Sequence, residues 1–190
     1  MYVYYPYSHY PYVYPRPFFW YPYPAYPYWN PYWPVGYRSN EEHDMHGNDS
    51  HGGKDYGPYP FVINIEEATN NNQTFRTALW TGEHLQVTLM SINPGEDIGL
   101  ENHPDLDQFL RIESGQGFVQ MGKEKNKLDF QRHVADDDAI LIPANTWHNV
   151  TNTGKMPLKL YSIYAPPQHP FGTVHVTKAD AVAAEAAEAR

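Results

Sequence analysis

The sequence predicts an all-β body, a closed barrel or double-sheet jelly roll, with a long arm before it and a short helix after it. Three observations point there. Between residues 59 and 176 short apolar segments recur, several with the period-two alternation of half-buried strands. Turn signals separate them: NPGED, SGQG, MGKEKNK, PANT and NTGKMP. Little helical periodicity lies between.

The elements follow in order. FVINI (61–65) is a short apolar run, and EEATNNNQTFRTALW (66–80) has room for a helical turn and then an edge strand. HLQVTLMSI (84–92) alternates, with Leu85, Val87 and Leu89 in phase as the buried face. Further strands are expected at DQFLRIES (107–114), GFVQMG (117–122), LDFQRHV (128–134), AILIP (139–143), HNVTN (148–152) and LKLYSIYA (158–165). The tail TKADAVAAEAAEAR (177–190) reads as a C-terminal helix, rich in Ala and Glu and capped by Thr177.

Two stretches precede the body. Residues 1–37 hold 13 Tyr, 9 Pro and 3 Trp, with YPY repeated four times. Proline at this density removes backbone donors and blocks helix and ladder alike, so a disordered, polyproline-II-like low-complexity arm is expected. Its aromatic rings offer large amphipathic contact area. Residues 38–58 are polar, acidic and Gly-bearing, which reads as a flexible linker. His43, His46 and His51 there are expected to be solvated.

Charge and composition exclude several classes. A net charge of −9 argues against a nucleic-acid partner. The absence of Cys removes disulfides, zinc ribbons and thiol catalysis. No apolar run reaches the roughly 18–20 residues of a membrane span, and the first residues lack the pattern of a secretory signal peptide. A cytoplasmic location, or assembly into a bacterial coat, is the expectation.

The chemistry gathers in GLENHPDLDQ (99–108). Glu101 and His103 are two apart, so on extended backbone they face the same side. Gln108 opens the next strand in phase with Leu110 and Ile112, which aims its amide at the core, where it needs a partner. Asp107 is the alternative if the register slips by one, and Asp105 and Asp107 otherwise form an acidic rim. His148, after Trp147, begins a strand about forty residues later that can lie beside the first pair. Phe109, Phe118, Phe130, Trp147, Tyr161 and Tyr164 are candidates to shape a pocket, with Arg111 and His133 as polar contacts.

Here the chain resembles the cupin superfamily, over roughly residues 60–176. The family's first motif, G-x5-H-x-H-x(3,4)-E-x6-G, is similar to PGEDIGLENHPDLDQFLRIESG, with Gly95, Glu101, His103, Gln108 and Gly115 in its places. The second, G-x5-P-x-G-x2-H-x3-N, is similar to Asp137, Pro143, Asn145, His148 and Asn152. Glu101 stands where the family has its first His, and Gln108 where it has its Glu. Asp137 and Asn145 replace two glycines.

The resemblance implies a double-stranded β-helix, a jelly-roll barrel with one metal site. Its ligands would be Glu101, His103, Gln108 and His148, a set similar to that of phosphomannose-isomerase-like cupins. Two imidazoles with oxygen ligands suit one divalent transition metal: Fe, Mn, Zn, Ni or Co. A small organic molecule as ligand, isomerase or dioxygenase chemistry and a homodimer are further implications. Alternatively, the arm marks a structural or assembly protein, spore-coat-like, whose residues 1–37 meet surface-layer or coat proteins while the barrel is a scaffold or sensor.

Overall fold

A computed structural model describes residues 54–188. The arm, residues 38–53 of the linker, and with them His43, His46 and His51, lie outside the described residues. In order come α1 (Ile65–Asn71), β1 (Arg76–Thr81), β2 (Gln86–Ile92), β3 (Asp107–Ser114), β4 (Gln116–Gly122), β5 (Phe130–Ala135), β6 (Ala139–Ile142), β7 (Trp147–Asn152), β8 (Leu158–Ala165), β9 (Val174–His175) and α2 (Lys178–Glu188). Two antiparallel sheets face one another. One has six strands in the order β6-β3-β8-β2-β1-β9, the other three in the order β5-β4-β7. The segment before His103 lengthens the smaller sheet along β7, where Ile98 N donates to Val150 O at 3.1 Å and Gly95 N to Asn152 O at 3.1 Å.

The strands stand where alternation places them, and β3 and β8 match their expected limits. One phase differs. Leu89 lies on the outer face of β2, in a cluster with Ala68 and Leu79 that Val87 packs against under α1. The barrel interior instead takes Gln86, Thr88, Met90 and Ile92, all fully buried or nearly so. Thr88 and Gln86 look like a solvent face in one dimension, but they face the functional interior. The expected edge strand is β1, and β9 lies outside it, pairing Arg76 with His175 and Thr77 with Val174.

Residues 54–58 are packed rather than linker-like, and one carboxylate is the reason. Buried Asp55 accepts from Gly57 N at 3.0 Å, Thr81 N at 2.9 Å and Gly172 N at 3.0 Å, which ties the entry and exit of the body to β1. The body therefore begins before the expected boundary at residue 59.

The interior is divided along its length. Ile92, Ile112, Val150, Leu158 and Leu160 fill one part as a continuous apolar core. On the same inward faces the other part carries Gln86 opposite Tyr164, Thr88 opposite Ser162 and Gln108 opposite Tyr164. Buried polar side chains cost free energy unless partnered, so a barrel half lined with them marks where function lies.

Candidate functional site

Glu101 and His148, 47 residues apart, meet because their backbones pair. Glu101 N donates to His148 O at 3.1 Å and His148 N to Glu101 O at 3.0 Å. Directly opposed residues of an antiparallel pair project to one face, with Cβ atoms about 4.5–5.5 Å apart. His103 follows on the same side. Its carbonyl accepts from Asn145 N at 2.7 Å, and Asn145 sits at φ 57°. Asn tolerates this left-handed angle, so it serves where the family motif has glycine. Asp137 does the same at φ 70°, the first glycine position of that motif.

The three side chains converge, with a ligand atom from each inside 4.8 Å of the others. Glu101 Oε1 lies 3.2 Å from His148 Nε2 and 3.4 Å from His103 Nε2. His148 is fully buried, and its Nδ1 is 2.8 Å from the Thr146 carbonyl. A carbonyl only accepts, so Nδ1 carries a proton and Nε2 is the ring nitrogen that faces the carboxylate. A second proton on Nε2 or a shared cation would join the two. Burial would raise the Glu101 carboxyl, but the contacts with His103 and His148 and the nearby Arg76 charge hold it well below the usual carboxylate range. The carboxylate is thus ionised, as a metal ligand must be.

Unpartnered buried atoms surround this group. Gln108 Oε1 and His169 Nε2 have no hydrogen-bond partner, and the Tyr164 hydroxyl meets Ser162 and Thr88. Gln108 Nε2 donates to Ser162 Oγ at 3.0 Å, which leaves its Oε1 as the free acceptor. Burial pushes the Tyr164 phenol up to about 12, with Arg76 opposing, so near neutral pH it is an O–H donor. These residues suit a divalent cation in donor chemistry: two imidazole nitrogens, a carboxylate and an amide oxygen.

Sequence reasoning missed Arg76, Gln86, Thr88 and His169. Arg76 is wholly buried and reaches Glu101 Oε2 at 3.9 Å. Gln86 accepts from His169 N at 2.9 Å and donates to His169 O at 2.8 Å, pinning the segment after β8 beside the site. The His169 ring then stands edge-on to Tyr164, with ring centroids 5.1 Å apart. The one signal available was parity, and only for two of them: Gln86 and Thr88 share it with Met90 and Ile92.

Several expected pocket residues lie elsewhere. Of the aromatic candidates Tyr164 faces inward. Phe109 and Tyr161 pack together on the outer face with centroids 6.1 Å apart, and Phe118 pairs with His133 at 5.0 Å. Phe130 is exposed, and Trp147 lies under Lys125 at 5.2 Å. Arg111 bonds Asp137 and Glu113. Asp105 is exposed, and Asp107 accepts from Ala144 N at 2.8 Å in a turn, so Gln108 holds the inward register.

Burial, and then the Arg76 charge, lower His169 to about 3. The unfolded chain takes up this proton at about 6.5 and the folded chain only near 3. Its contribution to stability is therefore complete above about pH 6.5 and is lost as pH falls toward 3. Replacing His169→Gln is expected to shrink the drop in melting temperature between pH 7 and pH 5, read by thermal denaturation. An unchanged drop would contradict the assignment.

This body has known counterparts. Residues 88–164 match the family model described as Cupin domain. The uncharacterized protein YrkC of Bacillus subtilis (strain 168) is 74% identical over 132 residues, covering 70% of this chain and 71% of the relative. An uncharacterized protein of Acanthamoeba polyphaga mimivirus is 41% identical over 119 residues, covering 62% of this chain and 72% of the relative. The crystal structure of BH2720 from Bacillus halodurans is similar at 71% identity and a TM-score of 0.68, over 68% of this chain and 98% of that one. Among the described residues no helix is long and apolar enough to cross a membrane. With the jelly-roll architecture and both sequence motifs in place, the chain belongs to the cupin superfamily.

Proposed function

We propose that the protein binds one divalent transition metal inside the barrel and acts there on a small organic molecule. Glu101, His103 and His148 would hold the ion, with Gln108 Oε1 as the fourth ligand. The observation that carries this reading is the convergence of Glu101, His103 and His148, with a ligand atom from each inside 4.8 Å of the others. His148 Nε2 lies 3.2 Å from Glu101 Oε1, a separation that a shared cation would bridge. Bound there, Fe, Mn, Zn, Ni or Co would polarise a carbonyl or hydroxyl, and a redox-active ion would add oxygen chemistry. Isomerase or dioxygenase activity follows from that choice of ion. Tyr164 would offer the substrate a neutral O–H donor.

The test is elemental analysis of untagged protein purified anaerobically. About one ion per chain is expected. Protein that stays metal-free after incubation with each candidate ion would overturn the reading.

The 13 Tyr within residues 1–37 favour a second role that can coexist with the first, attachment to a bacterial coat or surface layer. Deleting residues 1–37 from a fluorescently tagged copy is expected to release it from that layer. An unchanged distribution would remove this role.

A further inference from the structure

Arg76 is the largest fully buried side chain among the described residues, and it is poorly matched by its partners. Among the described residues its carboxylate partners are Glu101, 3.9 Å from its Nη2, and Glu185, 3.4 Å from its Nη1. Both exceed the roughly 2.7–2.9 Å of a good charge-assisted bond, and the fork geometry of a bidentate carboxylate is absent. Its Nε has no hydrogen-bond partner. The Tyr164 hydroxyl, in contact with Thr88 and Ser162, lies nearby. The Arg76 Nε–H, beside the metal ligands, is thus a buried donor without an acceptor.

Glu185 reaches this guanidinium from outside the barrel. It belongs to α2, and its side chain is 55% exposed although its partner is buried. Among the described side chains of α2, Ala181 alone is buried in the core. Glu185 follows it by four positions, so both lie on one face of the helix. Lys178 adds a bond to Asp97 at 2.8 Å. A helix docked through one methyl group and two partly exposed ion pairs is among the elements that open most readily.

We propose that the Arg76 side of the metal site is a subsite for the carboxylate of a small organic acid, and that Glu185 occupies it from α2 until such a ligand displaces it. The inference rests on the metal-site reading and names the ligand class of that site. A free carboxylate can approach the guanidinium in bidentate fashion and meet Thr88 and Tyr164, which Glu185 does not. The chain's own carboxylate then acts as a competitor, and its removal should raise the apparent affinity by the reciprocal of the fraction of time Arg76 is free of it.

The experiment is calorimetric titration of metal-loaded, full-length protein with pyruvate and with its neutral amide. Metal content is measured for every variant. Pyruvate is expected to bind and pyruvamide not. Glu185→Gln, at a half-exposed position, should retain metal and bind pyruvate about tenfold more tightly. Arg76→Met should keep metal and lose pyruvate. Hydrogen exchange in α2 should quicken when pyruvate binds. Metal-loaded protein that binds pyruvate equally with and without Glu185, or that does not discriminate pyruvate from its amide, overturns the subsite and leaves the metal reading standing. A wild-type protein that takes up no metal overturns both.

Discussion

His148→Ala is expected to abolish metal binding and, with it, the metal-dependent rise in melting temperature. His148 would offer its Nε2 to the ion, because Thr146 O holds its Nδ1 at 2.8 Å. Its removal leaves Glu101 and His103 as an incomplete pair. A ligand at a hundred times its dissociation constant stabilises the folded state by about 2.7 kcal/mol. For a body of this size each kcal/mol moves the melting temperature by about 2–4 °C. Wild-type protein should therefore gain several degrees when the right ion is added, and the variant none. The truncation also empties a fully buried volume, so the comparison is made within each variant, with and without metal. An equal metal-induced shift in both proteins would place the ion elsewhere.

Asn152→Ala is expected to destabilise the barrel strongly while leaving metal content unchanged. Asn152 lies at the apolar end of the same strand, almost completely buried. Its Nδ2 donates to Ile92 O and Met156 O, each at 2.8 Å, and its Oδ1 accepts from Gly154 N at 2.8 Å. One side chain thus satisfies three backbone groups and fastens β2, β7 and the turn after β7 together. Truncation strands two carbonyls and one N–H. At about 1 kcal/mol or more each, the loss is about 3 kcal/mol. The melting temperature should fall by about 6–12 °C, read by calorimetry. A fall of less than about 2 °C would mean that water replaces these bonds without cost. The two variants share β7 but separate its functions: one end holds the site and the other holds the fold.

The division along β7 also explains what could be read in one dimension. Strands β3 and β8 were legible because their inward faces are mostly apolar and their turns carry Gly, Asn or Pro. The phase of β2 was not, because its inward face opens with Gln86 and Thr88, whose polarity serves the site. Glu101, His103, Gln108 and His148 were legible through motif spacing. What brings Glu101 to His148, a paired backbone across 47 residues, is a product of the sheet. Arg76 and His169 had no local signature. Arg76 precedes an apolar run on β1, and His169 sits in a Pro-rich loop that Gln86 folds back over the site. Asp55 looked like part of a solvated acidic stretch, and its four hydrogen bonds reach residues as distant as Gly172.

The central claim is that a single ion sits among Glu101, His103 and His148. Crystals grown with the ion found by elemental analysis, with diffraction recorded on both sides of its absorption edge, test that most directly. The expected result is one anomalous peak within bonding distance of His103 Nε2, His148 Nε2 and Glu101, with Gln108 Oε1 turned toward it. A barrel without a peak there, with ions found instead at His43, His46 or His51, would contradict it.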